Sequence, residues 1–310
     1  MKNSLFNTFL VLAFIALSLV SYGQQADFAA LEDSLAKMSI RIWQQKDDQH
    51  VKAYSKKFAE QLRQVMELPG SFDYPFDSLK EIGRITSEDK RFRIFTWNCR
   101  SSDGKFSYDG LLVTGGEHPA VFPLTDVPGK QNLANADFST PEHWYGALYY
   151  KIIPSKSGKK NIYLLLGWDG IDDNMNSKLI EVLSFAPDGS PVFGMPVFHT
   201  PKGVVPRVII KYAENASLVL RYDYQTLLLP RGKGVKRKSM WMIVTDHLVP
   251  MTPQLEGQYE YYVPSGDSYD AYFFNKGKWS FAEGVEVGNP PTGKNASEHK
   301  PVNYNLFPPK

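Results

Sequence analysis

Phe28, Leu31, Leu35, Met38 and Ile42 step by three and four residues along the chain, the spacing that lines one face of an α-helix. The stepping breaks across residues 44–49 and resumes at Val51, Tyr54, Phe58, Leu62 and Val65. Asp47 or Asp48 can cap the second run, and Pro69-Gly70 ends it. The pattern predicts a helical hairpin, or one kinked helix, over residues 24–70, with its apolar stripe laid against the rest of the protein.

From Ile82 the hydrophobic period changes to two. Runs at 91–97, 106–113, 144–153, 161–166, 179–185, 208–212, 218–222, 259–263, 269–274 and 278–281 are separated by turns such as Ser102-Asp103-Gly104-Lys105, Pro187-Asp188-Gly189 and Asn275-Lys276-Gly277. Alternation bounded by Gly-centred turns is the signature of β-hairpins. The expected fold is therefore mainly β, an antiparallel meander of roughly ten to fourteen strands over residues 71–287. It includes a hairpin of 208–212 with 218–222. Irregular echoes around Asp103-Gly104, Asp188-Gly189 and Gly277 suit a propeller-like or barrel-like closure, and equally a two-sheet sandwich. Residues 288–310, rich in Pro, Asn and Lys, read as an extended tail.

The amino terminus has a different character. Lys2 precedes an apolar run at 9–20, and Ser21-Tyr22-Gly23 supplies small residues ahead of Gln24. This is the layout of a signal peptide, expected over residues 1–23. The apolar core is shorter than the about 20 residues a spanning helix needs. The mature chain is accordingly expected to be exported, periplasmic or secreted, with no membrane span after cleavage.

Charge narrows the partners. A formal net charge of +2 lacks the basic excess of a nucleic-acid binder. The one basic cluster, Arg231, Lys233, Lys236, Arg237 and Lys238, reads as a solvated loop between two strands. Cys99 is the single cysteine, so an intrachain disulfide is excluded and the thiol is expected to be a small buried hydrophobe.

Candidate chemistry is sparse. The loop at 167–177 gathers Asp169, Asp172, Asn174 and Asn176, and its D-x-N-x-N spacing can converge oxygen ligands on Ca²⁺. It departs from the EF-hand pattern, and the same residues equally make a polar hairpin loop bonded to its own backbone. No other cofactor is expected. Glu142-His143 and Asp246-His247 each place an imidazole beside a carboxylate, the ingredients of acid–base catalysis. Adjacent residues in a strand point to opposite faces, however. A nucleophile elbow, a P-loop and a G-x-G-x-x-G are absent. Aromatic residues make up 14% of the chain, which predicts a ring-rich core plus one exposed cluster. Trp144, Tyr145 and Trp168 are the candidate binding rings.

The phrases W-Y-G-A-L-Y-Y-K-I-I-P (144–154), Y-L-L-L-G-W-D-G (163–170), K-L-I-E-V-L-S-F (178–185), D-H-L-V-P (246–250) and L-E-G-Q-Y-E-Y-Y (255–262) together resemble a family of uncharacterised exported bacterial proteins, over roughly residues 70–285. The resemblance implies export from a Gram-negative cell and brings no activity, cofactor or catalytic residue. The resulting expectation is a non-catalytic binding or structural module of the envelope, contacting a glycan or another envelope protein. A hydrolase of envelope polymers, using Glu142 or Asp169 with His143 or His247, is the alternative. A calcium-stabilised scaffold is the third reading.

Overall fold

The computed structural model describes residues 26–116, 119–127, 131–231 and 234–285. The expected signal peptide at 1–23, the tail at 288–310 and Lys233 of the basic cluster lie outside the described residues. Two helices open the described chain, α1 (Phe28–Gln44) and α2 (Asp48–Met66). The cap of α2 is Asp47, whose carboxylate accepts from the Gln49 and His50 amides at 3.0 and 3.1 Å, satisfying two of the amides a helix start leaves unpaired. The predicted stripe is the buried one: Leu35, Ile42, Val51, Phe58, Leu62 and Val65 all face inward. No helix among the described residues is long and apolar enough to cross a membrane.

Strands make up most of the remainder. In chain order they are β1 (Gly83–Thr86), β2 (Phe92–Arg100), β3 (Phe106–Thr114), β4 (Val121–Thr125), β5 (Leu148–Ser157), β6 (Lys160–Gly170), β7 (Met175–Phe185), β8 (Pro191–Phe193), β9 (Phe198–Thr200), β10 (Gly203–Val205), β11 (Arg207–Ala213), β12 (Leu220–Arg231), β13 (Gly234–Pro250), β14 (Tyr262–Asn275) and β15 (Lys278–Val285). They form three sheets, ordered β1-β2-β3-β4, β11-β7-β6-β5 with β8 beside β7, and β10-β9-β15-β14-β13-β12. Pairing is antiparallel except between β15 and β9. Among the described residues no sheet closes on itself into a barrel or ring.

The layers enclose successive cores, and the first and second sheets are covered on both faces. The helices pack on Phe95, Trp97, Cys99, Leu111 and Val113 of the first sheet. Phe92, Ile94 and Leu112, on its other face, meet Tyr149, Leu165 and Leu179 of the second. Leu164, Leu166 and Ile180 of the second then meet Leu220, Ile243 and Tyr272 of the third. Cover on both faces explains why β2 is buried along its length up to Arg100, polar Arg93, Thr96 and Asn98 included, and why β6 reads as an apolar run over Ile162–Leu166.

Two sequence expectations are corrected. Residues 208–212 and 218–222 do not pair with each other: β11 pairs with β7 and β12 with β13. Alternation fixes which face a strand buries and leaves its partner open. Extended to Arg231, β12 forms twelve residue pairs with β13, a longer ladder than the short hairpin offered. Residues 259–263 and 269–274 are likewise not two strands. Tyr259–Tyr261 is a 3₁₀ turn, and β14 runs unbroken from Tyr262 to Asn275. The polar stretch at 264–268 is absorbed at a register shift opposite the bulge between Asp246 and Leu248.

Cys99 is buried as expected, and burial pushes its thiol up to about 11. Close by, the Ser55 hydroxyl donates to Asp109 Oδ2 at 2.5 Å and accepts from Trp97 Nε1 at 2.8 Å. Burial raises the Asp109 carboxyl above its ordinary range, against the opposing Ser55 bond. A raised carboxyl gives its full stability below the unfolded value and loses it as pH climbs through the folded one. Asp109→Asn, which keeps an acceptor for Ser55, should therefore raise the melting temperature at pH 7 by about 2–4 °C, the effect of ~1 kcal/mol in a domain this large. The gain should shrink at pH 4. Thermal melts at both values check this, and an equal loss at both would contradict it.

Candidate functional site

The candidate rings Trp144 and Tyr145 are buried, with 0% and 4% of their surface exposed. They belong to a polar knot inside the core between the first and second sheets. Trp144 Nε1 donates to the Tyr149 hydroxyl at 2.8 Å, and that hydroxyl donates to Glu181. Glu181 accepts from Arg207 Nε at 2.9 Å, with both side chains shielded from solvent. Arg207 also donates to the carbonyls of Leu133 and Ala136, pinning the connection between β4 and β5. Asp169 is buried beside Tyr108 and Tyr145, and burial drives both phenols well above their ordinary range. Trp168, half-buried, meets Phe106 edge-on at 5.6 Å. Trp144 and Tyr145 are thus sealed in the core, while Trp168 is partly covered.

The acid–imidazole doublets separate. Glu142 and His143 lie exposed on a 3₁₀ turn, Pro141–His143. The Thr140 hydroxyl beside Glu142 lowers its carboxyl. Asp246 accepts the Val219 amide at 2.8 Å. The carboxylate that meets His247 is Asp270, 2.9 Å from Nδ1, itself fixed by the Gly284 amide at 3.0 Å. The bulge in β13 turns His247 toward β14, which no reading of adjacent residues reveals.

The 167–177 loop uses its own groups. Asp172 Oδ1 accepts from the Asn174 and Met175 amides at 2.8 and 3.1 Å, an Asx turn. Asn176 Nδ2 reaches the Glu214 carbonyl at 3.3 Å, and Asp173 pairs with Arg100. Asp169 is buried while Asn174 is exposed. Among the described residues no three His, Cys, Asp or Glu side chains group as a metal set. The loop instead forms one wall of an open cleft of ≈ 660 Å³, with Asp172, Asp173, Glu214, Glu260, Met251 and Tyr261 along it.

Exposed rings lie elsewhere: Tyr259 and Tyr261 on a 3₁₀ turn, and a cluster on the β12–β13 hairpin. Register sets Tyr222 opposite Ile243, Tyr224 opposite Trp241, Thr226 opposite Ser239 and Leu228 opposite Arg237. Directly opposed residues share a face, so all these positions look the same way. Ile243 is covered by the second sheet. Farther along the hairpin the cover ends, leaving Tyr224 41% and Trp241 37% exposed. Tyr222 stacks on Trp241 with ring centres 5.1 Å apart and planes at 25°, and Tyr224 meets the same indole at 5.8 Å. The Thr226 and Ser239 hydroxyls lie 2.7 Å apart one step beyond, and Arg237 is exposed one step beyond those. On the opposite face Asp223 ties down Arg221 and Gln225 at 3.2 and 2.9 Å, so the ladder beneath the rings is braced. The sequence signal for this face is Y-x-Y on one side of the basic turn and Trp241 on the other. It becomes visible only when the two flanks are paired.

The chain matches no protein-family model, no curated protein and no solved structure.

Proposed function

We propose that the protein is an exported binding module of the cell envelope that holds a glycan on the Tyr222–Tyr224–Trp241 face of the β12–β13 hairpin. The observation that carries this reading is the exposure of a stacked ring cluster on a braced, twelve-pair ladder. Large rings normally contribute their burial to the core. Here Tyr224 keeps 41% and Trp241 37% of its surface exposed, and that remaining part is what a sugar ring can cover. The Thr226 and Ser239 hydroxyls offer donors and acceptors to sugar hydroxyls beside that stack. Rings already held in place lose little conformational entropy on binding. The hydrolase alternative has weaker support. Its Asp169 is buried, and its Glu142 and His143 sit on an outer turn.

The test is titration calorimetry of the mature chain with oligosaccharides prepared from envelope glycans. Trp241→Ala should weaken binding at least tenfold, a loss of about 1.4 kcal/mol. The variant also loses the Tyr222 and Tyr224 ring contacts, so a thermal melt of the variant confirms that it is folded at the temperature of the titration. Undiminished affinity in the variant would overturn the assignment.

A further inference from the structure

Resting on that reading, we infer that the glycan held by the hairpin face is an acidic one, with a uronic-acid carboxylate or a comparable anionic group meeting Arg237. Spacing and charge along β13 point to it. Trp241, Ser239 and Arg237 are alternate residues of β13 and so share a face, each about 6.8 Å beyond the last. A chain of sugar rings laid along the strand from the indole would pass the hydroxyl pair and arrive at the guanidinium.

Arg237 is the charged member of that face at the hairpin's far end, and it is exposed. Its neighbour Lys238 is turned away and engaged, its Nζ donating to Asn275 Oδ1 at 3.3 Å on the other side of the sheet. Two carboxylates of the same strands are directed elsewhere, while Glu88 acts on Tyr222 at the other end of the face. Asp223 belongs to the opposite face, occupied by Arg221 and Gln225, and Asp246 is bonded to the Val219 amide. The face therefore offers stacking and hydroxyl contacts at one end and a positive fork at the other. A guanidinium matches a carboxylate through two parallel N–H···O bonds, which a neutral sugar cannot supply.

The experiment is a parallel titration of the mature chain with oligogalacturonate and with a cello-oligosaccharide of equal length, at low salt and at ~1 M salt, where exposed charges are screened. The parent protein should prefer the acidic glycan by about fivefold at low salt, the scale of an exposed ion pair. High salt should abolish the preference. Arg237→Gln should lose it at low salt while still binding the neutral glycan, and Trp241→Ala should lose both ligands. Equal binding of the two glycans by the parent, or a preference that survives in Arg237→Gln, would overturn this inference and leave the glycan reading standing. Binding of neither would overturn both.

Discussion

Replacing Arg207 with methionine should destabilise the protein by about 3–5 kcal/mol, because it leaves Glu181 as an uncompensated charge in the core. Both side chains are fully shielded, so no water can take over from the lost guanidinium. Glu181 would keep the Tyr149 hydroxyl on one oxygen and have nothing on the other. The Leu133 and Ala136 carbonyls would lose their donor at the same time. The chain packs closely there: a Cβ at Gly194, whose φ is +80°, would lie 2.7 Å from the Asp137 carbonyl oxygen and 2.8 Å from Arg207 Nη2. Adding Glu181→Gln to Arg207→Met removes the stranded charge while keeping an acceptor for Tyr149. The double variant should therefore recover part of the loss, a coupling that a double-mutant cycle reads directly. Chemical denaturation of the four proteins checks this. A single-variant loss below about 1 kcal/mol would show that the pair is not isolated from solvent.

A second large effect is expected at Arg93. This side chain is 5% exposed and has no carboxylate among its hydrogen-bond partners. Burial lowers its guanidinium to about 10. It is held instead by the carbonyls of Phe72, Tyr74 and Pro75 at 2.8, 2.6 and 3.2 Å and lies over the rings of Phe76 and Phe95. One planar fork thus fastens the irregular segment between α2 and β1 onto β2. Arg93→Met fills similar space and removes a costly buried cation, which favours the variant. It also strands several buried carbonyls, each worth about 1–3 kcal/mol. The second term should prevail, for a net loss of about 2–4 kcal/mol. Arg93→Lys should rescue little, since a single ammonium cannot span carbonyls that a fork reaches. Full rescue by lysine would contradict the assignment and leave charge alone as the requirement.

The parts of this fold that were legible in the sequence are those set by neighbours along the chain. The helix stripe from Phe28 to Val65, the Asp47 cap and the Asp103-Gly104 turn depend on spacings of one to four residues. The turn's Gly104 adopts a φ of +82° that suits glycine. What stayed hidden depends on which layer covers which face. Trp144 and Trp241 are the same residue type in similar aromatic surroundings, yet the first is sealed between two sheets and the second stands beyond the edge of one. Likewise the carboxylate meeting His247 is 23 residues away on a neighbouring strand, where a bulge rather than a motif brings them together. The buried pair of Glu181 and Arg207 carried no local signal. Each reads as an ordinary polar position in an alternating strand until the sheets are stacked.

Occupation of the hairpin face by a glycan can be read from ¹⁹F NMR of protein carrying fluorinated tryptophan, titrated with envelope oligosaccharides. The chain has six tryptophans, and Trp241→Phe assigns the resonance that matters. With a glycan on this face the Trp241 signal should shift and saturate while those of the buried Trp97, Trp144 and Trp279 stay in place. A silent Trp241 resonance in the presence of a glycan that demonstrably binds would place the site elsewhere and contradict the account.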